Sequence, residues 1–221
     1  MIDRLLIADD HPICCEAVAM AARAALPGII TDQVGTLHLA EQALRRSPDY
    51  GLIVLDLLLP DALGFSGLLR LQQIAPHIPI AIISSQEDAA ARALHLGAAA
   101  FLPKAMSLAD LGAALALLAA GERQPVPPAD LAAGVLRDLR TRLATLTGSQ
   151  FRAVMALRDG QLNKQIAHDL GVGEATVKTH LAAAFRKLGV SNRTQAVLLV
   201  RQFDVVPDGT SDDLAPIGGR A

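Results

Sequence analysis

The sequence predicts an α/β domain built on a doubly wound, five-stranded parallel sheet, followed by a smaller all-α domain. Three observations carry that prediction. Up to about residue 120, short apolar runs alternate with longer stretches of helix-forming residues. From Gln150 onward only helical patterns occur. Between the two, the pattern breaks at Gly121 and then meets Pro125, Pro127 and Pro128, which no continuous helix can accommodate.

The elements follow in order. Leu5-Leu6-Ile7-Ala8 reads as a buried strand, and Ile13 to Leu26 as a helix ended by Pro27-Gly28. Ile29 to Val34 forms a second strand with a helix from Leu37 to Arg46 behind it. Leu52-Ile53-Val54-Leu55 is continuously apolar, so both of its faces must be covered, and a helix from about Gly64 to Ile74 follows. The cycle then repeats twice: a strand at 80–83 with a helix at 87–94, and a strand at 98–102 with a helix at 108–120. The domains predicted are 1–120, a linker at 121–145, a helical unit at 146–205, and a flexible tail at 206–221 rich in Gly, Pro and Asp. Residues 131–143 are helix-like and extend the linker or begin the second unit.

Composition limits the function. A hydrophobic fraction of 52% fills real cores and excludes disorder as the dominant state. The net charge of -2 hides an asymmetry: residues 1–120 hold 7 Lys/Arg against 12 Asp/Glu, whereas residues 146–205 hold 8 against 4. An acidic front and a basic rear imply different partners. Cys14 and Cys15 are adjacent, fit no zinc spacing and cannot form an ordinary disulfide with each other. No uncharged apolar run reaches the roughly 20 residues that a membrane span needs, so no membrane partner is expected and the cytoplasm is the expected location.

In an open parallel sheet the reactive groups gather beyond the carboxyl ends of the strands. Asp9 and Asp10 end the first strand, Asp56 the third, Ser84 the fourth, and Lys104 follows the fifth. Three carboxylates in one cleft repel one another unless a cation intervenes, and hard oxygen ligands suit Mg²⁺. An aspartate can attack a phosphoryl group and become an aspartyl phosphate. The expected roles are Asp56 as phosphoacceptor, Asp10 and Asp56 as direct metal ligands, Asp9 as a ligand mainly through water, and Ser84 and Lys104 as phosphoryl contacts. Such a domain catalyses only its own phosphoryl transfer and dephosphorylation and is no independent enzyme. Asp61 reads as a turn residue.

In the rear half, Asn163 to Leu170 reads as a short helix, Gly171 as a turn, and Glu174 to Leu188 as a second helix. Val177, Leu181, Ala184 and Leu188 form its inward face. Lys178, Thr179, Ala182 and Arg186 lie opposite, a basic face with small residues between the charges that can enter a major groove. Asn163 is expected to cap the first of these helices.

Over residues 3–120 the sequence resembles the receiver domain of bacterial two-component response regulators. The matching segments are Ala8-Asp9-Asp10-His11-Pro12, Asp56-Leu57-Leu58-Leu59-Pro60 with Gly64, Ser84-Ser85, and Gly97-Ala98 through Phe101-Leu102-Pro103-Lys104. From about Leu146 to Val200 it resembles the helix-turn-helix of the NarL/FixJ (LuxR-type) regulators, on Leu146-Thr147, Gly160, Asn163-Lys164, Ile166-Ala167, Thr176-Val177-Lys178, His180, Lys187-Leu188, Val190, Arg193 and Ala196.

The resemblance implies a sensor histidine kinase as phosphoryl donor and the main-chain carbonyl of Leu58 as a further metal ligand. It implies a relay in which Ser84 moves toward the phosphoryl group and Phe101 turns inward. It implies a cis peptide at Lys104-Ala105, where many relatives place proline. For the rear half it implies a four-helix module that binds double-stranded DNA through Thr176, Lys178, Thr179 and His180, with Lys164 and Lys187 on phosphates. Its last helix pairs subunits into a homodimer when the chain is phosphorylated or DNA-bound, and RNA polymerase is a further contact. His180 serves DNA or packing, an alternative left open. Ser149-Gln150 replaces the usual Arg-Glu, and Gln150 keeps hydrogen bonds but no charge pair. Taken together, the sequence is that of a DNA-binding transcription factor switched at Asp56. Two alternatives stand beside it: a DNA-binding regulator that needs no phosphorylation, and a phosphorylation-dependent adaptor for other proteins.

Overall fold

The fold is that of a computed structural model, described over residues 2–62, 64–128 and 131–202. Five strands, β1 (Arg4–Ala8), β2 (Ile30–Val34), β3 (Leu52–Asp56), β4 (Ile80–Ser84) and β5 (Ala100–Pro103), pair in parallel in the order β2-β1-β3-β4-β5. Every residue of β3 and β4 is buried, as their unbroken apolar runs require. Edge strand β2 carries Thr31, Asp32 and Gln33 and is partly exposed. The strand order reverses between β1 and β3, which opens a crevice at their carboxyl ends.

Helices α1 (Pro12–Ala25) and α5 (Leu108–Ala119) cover one face of the sheet, and α2 (Leu37–Arg46), α3 (Ser66–Ile74) and α4 (Ala90–His95) the other. The helix expected at 87–94 divides in two, a tight 3-10 turn at Glu87–Ala89 and then α4, which Gly97 ends with a φ of 88°. The start of α2 is held twice. The Thr36 hydroxyl accepts from Leu39 N at 3.2 Å, and Asp61 accepts from Leu37 N at 2.7 Å and His38 N at 2.8 Å. Asp61, expected as a turn residue, therefore satisfies two free donors of a helix 23 and 24 residues away in sequence. Asp61→Ala is expected to cost about 1–2 kcal/mol of stability, read by urea unfolding, because both donors lose a charged acceptor. A loss within error would show that water replaces the carboxylate fully.

The second half comprises α6 (Leu131–Ala144), α7 (Gly148–Arg158), α8 (Asn163–Leu170), α9 (Glu174–Leu188) and α10 (Arg193–Arg201). The predicted class holds: a five-stranded parallel α/β fold followed by an all-α bundle. Asn163 is the first residue of α8 rather than its cap; Leu162 precedes it, and Gln165 turns its side chain back to accept from Leu162 N at 2.7 Å. The tail at 206–221 lies outside the described residues.

The apolar core on the α2–α4 side does not stop at residue 120. It continues through Leu136, Leu139 and Leu143 of α6 into Phe151, Val154, Leu181 and Leu188 of the helical half. An amide of the α/β half reinforces the junction, as Gln73 Nε2 on α3 donates to the carbonyls of Leu143 at 3.1 Å and Leu146 at 3.4 Å. Beyond the prolines, Gln124 attaches the chain to β5: its N–H donates to Ala99 O at 2.9 Å, and its side chain accepts from Phe101 N at 2.7 Å.

Candidate functional site

The crevice brings together Asp9, Asp10 and Asp56 with Lys104 from the loop after β5. Lys104 Nζ lies 2.8 Å from Asp9 Oδ2 and 2.9 Å from Asp56 Oδ2, so one ammonium bridges two buried carboxylates from different strands. Its backbone is set by Lys104 N donating to Ser84 O at 2.9 Å, which fixes the loop after β5 against the end of β4. No cis peptide occurs among the described residues, which corrects the expectation at Lys104-Ala105. Position 105 is alanine, and a secondary amide pays about 2.5–4 kcal/mol for the cis form that proline nearly escapes.

One ligand atom from each of Asp9, Asp10, His11 and Asp56 lies within 4.8 Å of the others. His11 was not singled out in the sequence, although its place directly after two aspartates is the signal. Its Nδ1 lies 3.2 Å from Asp9 Oδ1 and 2.9 Å from Asp10 Oδ1, and its N–H donates to Asp9 Oδ1 at 2.8 Å. Asp9 and Asp56 are buried, whereas Asp10 is exposed at the rim. Three hard carboxylates open to solvent on one side are compatible with a divalent cation.

Burial raises the Asp56 carboxyl above the ordinary carboxylate range, Lys104 pulls it down by hydrogen bond and charge, and Asp9 pushes it up again. Burial works to lower Lys104, but its bonds to Asp9 and Asp56 prevail and hold the ammonium above its usual range. A carboxyl raised on folding contributes stability below its unfolded pKa and loses it as pH rises through the folded value. Asp56→Asn is therefore expected to raise the melting temperature of the metal-free chain, with the gap to wild type widening from acid to neutral pH. A gap that does not change with pH would disprove this account.

Ser84 is fully buried and its Oγ accepts from Gln86 N at 3.1 Å. Phe101 is 5% exposed, so the expected inward turn begins from a side chain already in the core. Leu58 is exposed beside the pocket. Cys14 and Cys15 are both free, and Cys15 Sγ donates to Asp9 O at 3.2 Å.

The helical half presents α9 outward. Gly173 caps its start with extended backbone, and Gly189, at a φ of 70°, ends it. Val177, Leu181, Ala184 and Leu188 are buried, while Thr176, Lys178, Thr179, Ala182 and Arg186 are exposed and His180 is half-buried. Thr179 Oγ1 donates to Ala175 O at 3.0 Å. Lys164 is exposed on α8. Lys187 is occupied within the chain, since its ammonium donates to Thr145 O at 2.8 Å and Gln150 Oε1 at 2.9 Å. Gln150 thus keeps a hydrogen bond where a charge pair was judged missing. Gln150→Glu is expected to stabilise the chain by about 0.2–1 kcal/mol, the range of exposed ion pairs, with the gain fading in high salt during thermal melts. Arg142 on α6 adds a second brace, its Nη1 donating to Leu188 O at 2.9 Å at the end of α9.

No helix among the described residues is long and apolar enough to cross a membrane. Residues 5–116 match the family described as response regulator receiver domain, and residues 145–200 match bacterial regulatory proteins, luxR family. The chain is 32% identical over 213 residues to the glycerol metabolism activator of Pseudomonas putida, covering 91% of this chain and 96% of that protein. It is 32% identical over 209 residues to the nitrate/nitrite response regulator protein NarL of Escherichia coli K12, covering 90% and 94%. In fold it is similar to RcsB from Salmonella enterica serovar Typhimurium, solved bound to a promoter with phosphomimetic BeF3-, at a TM-score of 0.51 and 19% identity over 91% of this chain and 99% of that one.

Proposed function

Since the chain belongs to the two-component response regulators of the NarL/FixJ type, we propose that Asp56 is its phosphoacceptor and that phosphorylation there controls DNA binding by α9. The observation that carries this reading is the ammonium of Lys104 shared between Asp9 and Asp56 at the carboxyl ends of the strands. The donor is a histidine kinase. An Asp56 oxygen attacks the phosphorus, the bond from phosphorus to the donor imidazole nitrogen breaks, and its electron pair stays on that nitrogen. Lys104 and the Ser84 hydroxyl then contact phosphoryl oxygens.

The carboxylates of Asp9, Asp10 and Asp56 and the main-chain carbonyl of Leu58 would hold Mg²⁺, as hard oxygen donors do. The bound cation neutralises the crowded carboxylates and offers a position for a phosphoryl oxygen. Ser84 gives up its bond from Gln86 N to reach the phosphoryl group, and Phe101 transmits the change along β5. Thr176, Lys178, Thr179 and His180 face the major groove, Lys164 contacts phosphate, and Lys187 divides its charge between phosphate and the Thr145 carbonyl. The chain pairs as a homodimer through α10 on two-fold symmetric DNA, with RNA polymerase as a further contact. In this reading 1–120 receives the phosphoryl group, 121–145 links, and 146–205 binds DNA.

A second reading has one observation in its favour. The outer face of α9 is exposed while the two halves are packed together, so nothing in that packing covers Lys178 or Thr179. DNA binding without phosphorylation follows if that face suffices. The two readings separate in one experiment: genomic fragments bound by the purified chain are sequenced with and without a phosphoryl donor and Mg²⁺, beside Asp56→Ala. Donor-dependent enrichment of paired half-sites, absent in the variant, supports the switch; equal enrichment in all conditions overturns it and leaves the second reading.

A further inference from the structure

Between α4, the chain after α5, and α6 lies a cleft of about 400 Å³, apart from both the acidic pocket and the exposed face of α9. Arg123, Arg137 and Arg140 line it, and no acidic side chain does. Elsewhere Arg4, Arg23, Arg45, Arg70 and Arg142 each face a carboxylate. The three guanidinium groups in the cleft have no hydrogen-bond or ion-pair partner among the described residues. Arg140 packs directly on Gly97, where an added Cβ would come within 2.3 Å of its Cζ, so the glycine makes room for the guanidinium. His95 lines the same cleft, is 5% exposed, and its Nδ1 has no partner among the described residues.

Like charges gathered without counter-charge are unfavourable, and an anion seated among them recovers that energy. Desolvation of Arg140 and the neighbouring charge of Arg123 both act to depress its pKa, which is the same unfavourable field seen from one of its members. Guanidinium forks match phosphate oxygens two at a time, and three positive charges in one cleft are balanced more fully by a diphosphate, with about three negative charges, than by a phosphate monoester with about two. The volume falls within the roughly 300–1,000 Å³ of small-molecule sites and leaves room for more than an isolated phosphate. We propose that this cleft binds a small ligand bearing a diphosphate group. Such a ligand would tie Arg123 of the connecting chain to Arg137 and Arg140 of α6 beside α4. Because Arg142 of α6 also holds the last carbonyl of α9, the ligand would set the seating of the DNA-facing helix from the far side of the junction.

The test is isothermal titration of the full chain with sodium pyrophosphate in metal-free buffer, against sodium sulfate at matched ionic strength. Saturable one-to-one binding is expected for pyrophosphate. Arg123→Gln and Arg137→Gln, both at exposed positions, should each weaken it at least about tenfold, the scale of a lost charge-assisted hydrogen bond. Arg137→Lys should fall between wild type and Arg137→Gln, and circular dichroism should show every variant folded. Asp56→Asn and Lys178→Glu should bind as wild type does. Absence of saturable heat, binding that survives the arginine substitutions, or binding lost with Asp56→Asn or Lys178→Glu would overturn the proposal, the last two by placing the anion in the acidic pocket or on α9.

Discussion

Asp56→Ala is expected to end phosphoryl uptake, with incorporation falling at least about a thousandfold, the scale on which removal of a nucleophile acts. The neighbouring groups cannot take over. Asp9 is engaged by Lys104 and by the N–H of His11, Asp10 sits at the rim beside His11, and the Ser84 hydroxyl is fully buried and accepts from Gln86 N. Intact-mass spectrometry after incubation with a small acyl phosphate donor and Mg²⁺ reads the result directly. Wild type should gain one phosphoryl group that hydroxylamine removes, as expected of a carboxylic phosphoric anhydride. The same labile group at wild-type level on the alanine variant would move the acceptor to another residue.

Lys178→Glu should weaken duplex binding about a hundredfold at moderate salt. The substitution removes a counter-charge to the phosphate backbone and puts a repelling one in its place, so the dependence of log K on log salt should also become shallower by about one unit per protomer. Lys178 is exposed and has no partner among the described residues, so folding stability should not change. That separates a lost contact from a lost fold. Fluorescence anisotropy across a salt series makes both readings together. A loss under about threefold with an unchanged slope would remove α9 from the groove.

The parts of the fold legible in the sequence are those set by local chemistry. The limits of α2 and α9 follow from their caps: Thr36 before one, and Gly173 and Gly189 around the other. The burial of β3 and β4 follows from apolar runs too continuous for a sheet with a wet face. The acidic pocket was legible because a parallel sheet brings strand ends together whatever the loops do. What escaped depends on partners far away in sequence. Asp61 is an ordinary turn residue until α2 begins beside it, Arg142 is an ordinary surface charge until the end of α9 arrives, and Lys187 is a free cation until Thr145 and Gln150 meet it. The division at Glu87–Ala89 escaped because apolar periodicity does not separate a 3-10 turn from the α-helix that continues it. The trans peptide at Lys104-Ala105 was missed for another reason: there a family habit was carried to an alanine that lacks the chemistry behind it.

Gln124 bears on how the halves can be studied apart. A strand at the border of a sheet presents main-chain groups that invite another strand, from a second molecule as readily as from the same one. At β5 that border is closed by one residue, whose main chain and amide side chain engage Ala99 and Phe101 together. A fragment ending at residue 120 would lose this cover and expose a sticky edge beside the largely apolar α5. Self-association of such a fragment would report the cut rather than the natural pairing of the protein, whereas a fragment extended past Gln124 keeps the edge sealed.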